Sequence, residues 1–259
     1  MWKKYKIDDN VIYNSRIGSS ILWLEKSKNI WSYAIDKTNS DSTGTDSLQS
    51  AKKLPDDFEW QGHLGSDASS IHILPAMPDR AVVVKPDKNL AILNGTTIEV
   101  FLLIPVWLRI YASSVKDENL LLEFPTTDLS STWFGAPDNG ELAYSLPANA
   151  LFDTIGLTDS ANSTAICPVK INNESGAVLN FERLSVPAPQ LNLYSKENQL
   201  FTNEIRLKYK GEDNQNEVQI INGSPSIAEG STHLSSARIK DSKGLFQRSF
   251  YLIKSFTQY

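Results

Sequence analysis

The sequence has one cysteine, three histidines and no long uninterrupted apolar segment. Because Cys167 has no second cysteine as a partner, the chain contains no intramolecular disulfide and no CxxC metal or redox motif. The N-terminal lysines are not followed by the apolar run of a secretory signal. The compartment that we expect is therefore the cytoplasm.

The longest apolar stretch, residues 98–111, is interrupted by Glu99, Pro105 and Arg109. It is shorter than the ~20 apolar residues that span a bilayer, so we expect no transmembrane span. Proline cannot donate a hydrogen bond to a β-ladder, and Pro105 is therefore expected to divide this stretch into two strands or to mark a bulged edge strand.

Positive charge is also scarce. Lys and Arg together number 25 against 30 acidic residues, which gives a net charge of −5. Nucleic-acid binders need a basic face in which Arg supplies bidentate phosphate contacts, and we expect no nucleic-acid partner. A chain of 259 residues buries enough surface to fold without a stabilising cofactor, and we expect none.

Motifs of catalysis and nucleotide binding are missing. The sequence has no GxSxG elbow, no P-loop and no GxGxxG loop. His63, His72 and His233 form no HxH or HExxH pattern, so a metal-dependent enzyme that uses His63 and His72 is the third of three functional hypotheses. We assign no metal site and no catalytic residue.

Alternation of apolar and polar residues is the main secondary-structure signal. It is clear in residues 106–111 and 203–210, and helical periodicity is almost absent. Turn-forming residues at 25–29, at Asn-Gly 94–95 and at 172–176 predict hairpins. The sequence therefore predicts an all-β protein of one or two packed antiparallel β-sandwiches with few short helices.

The polar interval at residues 156–164 is the best candidate for a domain boundary. It predicts an N-terminal sandwich over residues 1–155 and a C-terminal sandwich over residues 165–259. Within the first, residues 36–53 are rich in Ser, Thr and Asp and are expected to form a long surface loop. A single domain remains the alternative.

The first candidate ligand-binding segment is residues 74–86. Two prolines stiffen the approach to Asp79 and Arg80, where Arg80 can bind a carboxylate or hydroxyl while Asp79 orients its guanidinium. An arginine that ties a loop to a sheet edge is the alternative. Trp107 and Arg109 join the candidates if the fold brings them into the same pocket.

The second candidate segment is residues 131–144. Trp133 offers a flat apolar platform, and Asp138 and Glu141 can accept hydrogen bonds from hydroxyl groups, a combination that recognises sugars. The two carboxylates also make a possible acid and base pair for glycoside hydrolysis. The alternative is a Pro-Asp-Asn-Gly turn that closes a hairpin, with Trp133 in the core.

Six segments that together extend over nearly the whole chain carry a family resemblance. They are LPAMPDRAVVVKP (74–86), NGTTIEVFLLIPVWLRIY (94–111), STWFGAPDNGELAY (131–144), CPVKINNES (167–175), YKGEDNQNEVQI (209–220) and LSSARIKDSKGLFQRSF (234–250). Through them the chain resembles a family of prokaryotic proteins catalogued as domain of unknown function 432. The resemblance implies a protein of uncharacterised activity and supplies no catalytic residue.

Many strands without a catalytic constellation favour a non-enzymatic β-sandwich protein that binds a protein partner or a second copy of itself. The alternative is a carbohydrate-recognising or carbohydrate-processing domain that uses Trp133, Asp138 and Glu141 together with Arg80. Contiguous exposed aromatic area would favour the first hypothesis. Its candidates are Trp2, Trp23, Trp31, Trp107 and Tyr111.

Overall fold

The computed structural model describes residues 1–37, 47–85, 90–135, 137, 140–147, 150–151, 162–181, 183–211 and 216–240. These residues form β-strands joined by turns, with three-residue 3-10 helices at Asp117–Asn119, Ala188–Gln190 and Ser226–Ala228. The prediction of an all-β protein with few short helices is confirmed. Within the described residues, no helix is long and apolar enough to cross a membrane.

The strands in chain order are β1 (Lys4–Lys6), β2 (Ile12–Ile17), β3 (Ser20–Ser27), β4 (Ile30–Asp36), β5 (Gln49–Ala51), β6 (Gly62–Gly65), β7 (Ser70–Ala76), β8 (Val82–Lys85), β9 (Leu90–Ile92), β10 (Thr97–Pro105), β11 (Trp107–Ala112), β12 (Leu120–Pro125), β13 (Ser130–Phe134), β14 (Glu141–Pro147), β15 (Ala150–Leu151), β16 (Thr164–Asn173), β17 (Leu179–Phe181), β18 (Leu184–Val186), β19 (Leu193–Lys196), β20 (Gln199–Thr202), β21 (Ile205–Tyr209), β22 (Glu217–Ile220) and β23 (Thr232–Ser235).

The chain divides into two compact units, each made of two segments. Unit 1 comprises Met1–Ala76 and Val106–Thr127, and unit 2 comprises Met77–Pro105 and Asp128–Tyr259. This division differs from the predicted sandwiches at 1–155 and 165–259. Most of the predicted boundary at 156–164 lies outside the described residues, and that boundary stays a prediction.

Unit 1 is a sandwich of two antiparallel sheets, with strand orders β1-β7-β11-β12 and β5-β2-β3-β4-β6. Successive side chains of a strand point to opposite faces, so apolar residues at every second position meet in one core. Leu22 and Leu24 of β3 thus pack with Ile71 and Ile73 of β7 around the fully buried Trp31.

The five-stranded sheet of unit 1 is also covered on its other face. There Trp23 and Ala34 contact Phe58 and Trp60 from the segment that follows β5. The loop predicted at residues 36–53 is shorter than expected, because β5 pairs with β2 and occupies residues 49–51. Residues 38–46 lie outside the described residues.

Within the described residues, unit 2 contains an eight-stranded, a four-stranded and a two-stranded sheet. The eight-stranded sheet has the order β15-β10-β16-β20-β19-β23, with β21 also beside β16 and β22 beside β21. The four-stranded sheet has the order β13-β14-β8-β18, and the two-stranded sheet consists of β17 and β9. Three pairs are parallel, namely β14 with β8, β16 with β20 and β16 with β21. The two larger sheets are therefore mixed, whereas the sequence predicted antiparallel pairing.

The longest ladder of unit 2 joins β10 to β16 over nine residue pairs from Thr97↔Asn172 to Pro105↔Thr164. One face of this ladder is fully buried, with Val100 opposite Val169 and Leu102 opposite Cys167. Pro105 ends β10 and β11 begins two residues later in a different sheet, which confirms the predicted division of the apolar stretch.

A buried asparagine fixes the corner where this ladder ends. Asn173 is fully buried, and its Nδ2 donates to the carbonyl oxygens of Ile92 and Ala177, each at 2.8 Å. Its Oδ1 accepts hydrogen bonds from the amide and the hydroxyl of Ser175. The side chain thus joins the segments before β10 and after β16 at one point.

The hairpins predicted at 94–95 and 172–176 are wrong in their pairing, although both turns exist. β9 pairs with β17, and β10 pairs with β16 and β15. The two turns lie side by side and are joined by a hydrogen bond, which the Gly176 amide donates to Asn94 Oδ1 at 2.9 Å. β10 and β16 pair in the eight-stranded sheet, and β9 and β17, on the other side of the two turns, pair in the two-stranded sheet. The hairpin predicted at 25–29 is confirmed, since β3 pairs with β4 around Lys28.

Replacing Asn173 by alanine is expected to destabilise the protein by about 2–4 kcal/mol, because the buried carbonyl of Ile92 and the carbonyl of Ala177 lose their donor and a turn loses its acceptor. Chemical denaturation monitored by fluorescence measures the change. The matched control is Asn180→Ala, an exposed asparagine of β17, which should shift the unfolding free energy by less than about 0.5 kcal/mol. Equal effects of the two variants would contradict the assigned role of Asn173.

Candidate functional site

The candidate site is a cleft at the end of the four-stranded sheet of unit 2. β8 and β14 pair in parallel, with Tyr144 opposite Val82. Because the two strands run in the same direction, the residues that precede β8 lie beside the beginning of β14. Asp79 and Arg80 are thereby brought to one cleft with Glu141, although some 60 residues separate them in sequence.

The cleft has a volume of about 320 Å³ and a mixed lining. Its polar members include Asp79, Arg80, Glu141, Ser185 and Gln190, and its apolar members include Leu142, Pro187, Pro189 and Ile239. Three of the seven residues predicted from the sequence therefore line one cavity. This size is at the lower end of the range of small-ligand pockets.

A tyrosine links Asp79 and Arg80 within the site. Tyr144 Oη donates to Asp79 Oδ1 at 2.8 Å, and the Arg80 guanidinium lies 5.5 Å from the centre of the Tyr144 ring. Burial, together with the hydrogen bond to Asp79, raises the pKa of Tyr144, so the hydroxyl stays a donor. We expected Asp79 to orient Arg80 directly; instead, Tyr144 binds Asp79 and stacks against the cation.

Two further polar groups of the cleft lack interactions that would offset the free-energy cost of their burial. Burial raises the pKa of Glu141, which favours the protonated carboxyl relative to an exposed glutamate. Gln190 Oε1 is buried and has no hydrogen-bond donor within the described residues. Such an acceptor costs free energy unless a ligand hydroxyl or N–H group satisfies it.

The segment that follows β23 forms part of the wall of the cleft. The Ile239 amide donates to the carbonyl of Pro189 at 3.0 Å, and Arg238 Nε donates to the carbonyl of Met77 at 2.5 Å. These bonds hold Ile239 at the cleft with nearly half of its surface exposed. No sequence signal pointed to Gln190 or Ile239, because neither belongs to a recognisable motif.

Trp133 is exposed and does not itself line the cleft, but it is paired with a residue that does. It is the cross-strand partner of Leu142, and the two side chains are 51% and 47% exposed. A Cβ at Gly140 would overlap the Trp133 indole and approach the carbonyl of Phe134 to 2.7 Å. The Trp133 indole therefore packs directly against the backbone of Gly140. The alternative reading is correct in its hairpin, because β13 and β14 pair antiparallel, but it is wrong in placing Trp133 in the core.

Two of the other predicted site residues, Trp107 and Arg109, do not line this cleft. Asp138 lies outside the described residues. Trp107 and Arg109 belong to β11 of unit 1, where Arg109 Nε lies 3.1 Å from Glu123 Oε1 on β12. Burial alone would lower the pKa of Arg109, but the hydrogen bond and charge of Glu123 raise it, so the guanidinium is held in a cross-strand ion pair.

The aromatic residues expected to mark an interface are largely inside. Trp23, Trp31 and Tyr111 are buried, and Trp2 and Trp107 are partly buried. Of the large aromatic side chains in the described residues, that of Trp133 is the most exposed. The exposed aromatic side chain that could mark a binding surface is therefore Trp133, beside the lining residue Leu142.

Groups suited to metal or nucleophilic chemistry are dispersed. Within the described part of the chain, no three His, Cys, Asp or Glu side chains are grouped to hold a metal ion. His63 Nδ1 lies 2.8 Å from Ser32 Oγ, and His72 Nε2 lies 3.1 Å from the Ser113 carbonyl oxygen. Burial raises the pKa of Cys167 to about 12, so this thiol is a poor nucleophile.

Comparison with known proteins identifies the family. The family model described as "Protein of unknown function (DUF432)" matches residues 1–254. The chain belongs to this family. No curated protein and no solved structure matches the chain. Membership in DUF432 confirms the resemblance noted in the sequence, and a function has to be argued from the cleft itself.

Replacing Glu141 by glutamine is expected to stabilise the protein slightly at neutral pH. A carboxyl whose pKa is raised in the folded state loses stability as the pH rises through that pKa, and glutamine removes the loss. After solvent screening the gain is at most ~0.5 kcal/mol. Thermal unfolding measured between about pH 3 and pH 8 should show the two proteins converge in acid.

The control is Glu229→Gln, which alters an exposed glutamate of the same unit. It should leave the unfolding temperature close to that of the wild type. A Glu141→Gln variant that is less stable than the wild type at neutral pH would contradict the desolvation of Glu141.

Proposed function

We propose that this protein is a carbohydrate-binding protein whose site is the cleft of Asp79, Arg80, Glu141 and Gln190, with Trp133 at its rim. The observation that carries the proposal is the exposed Trp133 side chain beside a cleft with two carboxylates. An exposed indole next to hydrogen-bonding groups is the arrangement that suits a sugar ring, which has apolar C–H faces and a polar edge.

Each group of the cleft has a role in this proposal. The C–H face of a sugar ring packs on Trp133 and Leu142, which together supply an exposed apolar surface. Sugar hydroxyls donate to Glu141 and to the unsatisfied Gln190 Oε1. The Arg80 guanidinium, held over Tyr144, donates to a ring or hydroxyl oxygen.

The proposal is for recognition and assigns no catalytic acid or base. Asp79 already accepts a hydrogen bond from Tyr144, and Asp138 lies outside the described residues. On composition we also propose a cytoplasmic location and no nucleic-acid partner, because the chain has a net charge of −5 and one cysteine.

The test is a glycan array followed by calorimetric titration of the oligosaccharide that the array selects. Trp133→Ala should weaken binding by at least ~10-fold, because the stacking platform is lost. Gly140→Ala should also weaken binding without removing any ligand-contacting group, since its Cβ displaces the indole. Leu93→Ala, at an exposed apolar residue of unit 2 outside the cleft, should bind like the wild type.

No bound glycan on the array would contradict the proposal. So would a Trp133→Ala protein that is folded and binds the selected oligosaccharide with wild-type affinity. Circular dichroism of each variant separates a loss of binding from a loss of fold.

The second candidate function is self-association through the edge strand β13. β13 pairs with β14 on one side and ends the order of its sheet within the described residues. An edge strand presents unpaired N–H and C=O groups to another strand, and Trp133 would add an apolar contact there. The partner in this case is a second copy, whose β13 would continue the sheet.

Light scattering during size exclusion tests this second candidate. A β13-mediated dimer should become monomeric in Ser131→Lys, because a lysine on an edge strand opposes pairing with another strand. A wild-type protein that is strictly monomeric at all concentrations would contradict self-association.

A further inference from the structure

A second cavity, of about 260 Å³, adjoins the cleft of Asp79 and Arg80. Gln190 and Ile239 line both cavities, so these two residues form the boundary between them. Each cavity alone lies near or below the ~300 Å³ at which small-ligand pockets begin, whereas the two together fall within the usual range of ~300–1,000 Å³. A ligand of ordinary size would therefore occupy both.

Amide side chains make up most of the polar lining of the second cavity, which we call the amide cavity. They are those of Gln190, Asn192, Asn203 and Asn222, and Ser236 and Lys240 complete the polar lining. A carboxamide carries both donors and an acceptor, and a sugar hydroxyl likewise donates and accepts, so the two groups can form complementary hydrogen bonds. The chemistry of the amide cavity therefore suits a sugar residue.

A buried asparagine fixes the backbone that carries two of these amides. Asn203 is 1% exposed, and its Oδ1 accepts a hydrogen bond from the Asn192 backbone amide at 2.8 Å. Its Nδ2 donates to the carbonyl oxygens of Ile221 at 3.0 Å and Gly223 at 2.9 Å, the two neighbours of Asn222. Both segments are thereby held in place without a ligand, which lowers the entropic cost of binding one.

Hydrogen-bonding groups at the amide cavity remain available to a ligand. Asn192 Oδ1 accepts a hydrogen bond from the Ala237 amide at 2.8 Å, whereas its Nδ2 donates none within the described residues. Asn222 is exposed, and its side chain forms no hydrogen bond with the described part of the chain. The buried Gln190 Oε1 at the boundary has no donor there either. The fold uses Asn203 for its own stability but leaves these other amide groups unused.

We propose that the ligand is an oligosaccharide that spans both cavities, with one sugar residue against Trp133 and Leu142 and a following residue in the amide cavity. The inference rests on the proposed carbohydrate-binding function and adds the length of the ligand to it. Hydroxyl groups of the following residue bind Asn192 Nδ2 and the Asn222 side chain. Gln190 Oε1, at the boundary, accepts a hydrogen bond from a hydroxyl close to the linkage between the two sugars.

The test is calorimetric titration of the full chain with fragments of one, two and three sugar residues from the glycan that binds best on the array. The affinity of the wild type should rise by at least ~10-fold from the one-residue to the three-residue fragment, because the added residues form hydrogen bonds with groups that are already in place. Trp133→Ala should weaken the binding of every fragment, since the indole contacts the first residue.

Two variants of the amide cavity should affect only the longer fragments. Asn222→Ala should weaken binding of the three-residue fragment by about 3–10-fold, and its fold should be intact because the lost side chain holds no structural hydrogen bond. Asn192→Asp keeps the acceptor for the Ala237 amide but lacks the Nδ2 donor, and a similar loss is expected. Asn180→Ala, an exposed asparagine outside both cavities, is the matched control and should bind every fragment like the wild type.

The outcomes separate this inference from the function on which it rests. If no fragment binds, the carbohydrate-binding function fails and the inference fails with it. If one-residue and three-residue fragments bind equally well and Trp133→Ala weakens both, the function stands and only the second subsite is overturned. The subsite is also overturned if folded Asn222→Ala and Asn192→Asp both bind the three-residue fragment with wild-type affinity. Weaker binding of that fragment by either folded variant, with normal binding by Asn180→Ala, supports it.

Discussion

The parallel pairing of β8 with β14 is the constraint on which the candidate site depends. It places the residues just before β8 beside the first residues of β14, so Asp79 and Arg80 meet Glu141 and Tyr144. An antiparallel pairing of the same strands would put the beginning of one strand beside the end of the other and would separate these side chains. The cleft is thus a consequence of strand direction more than of any local motif.

The cleft also contains groups whose burial or exposure lowers the stability or solubility of the protein. A carboxyl whose pKa is raised by burial, a buried amide oxygen without a donor and an exposed tryptophan each oppose folding or solubility. The same molecule satisfies Asn173 with four hydrogen bonds at a corner that supports the sheets. Uncompensated groups that are concentrated in one cleft are typical of binding sites.

Sequence patterns predicted what depends on neighbours along the chain. Alternation gave the all-β class, and proline chemistry gave the break at Pro105. Turn chemistry located the reversal at 94–95 but misassigned its strands, because a turn does not specify whether the flanking strands pair with each other. The convergence of Asp79, Arg80 and Glu141 and the contribution of Gln190 depend on non-local pairing, which alternation does not encode.

The most direct measurement is a crystal structure of the protein with the oligosaccharide that it binds best. We predict a sugar ring packed on the Trp133 indole, with hydroxyl groups within hydrogen-bond distance of Glu141 and Gln190 Oε1. A saccharide bound away from Trp133, with the cleft of Asp79 and Arg80 filled only by water, would contradict the proposed site.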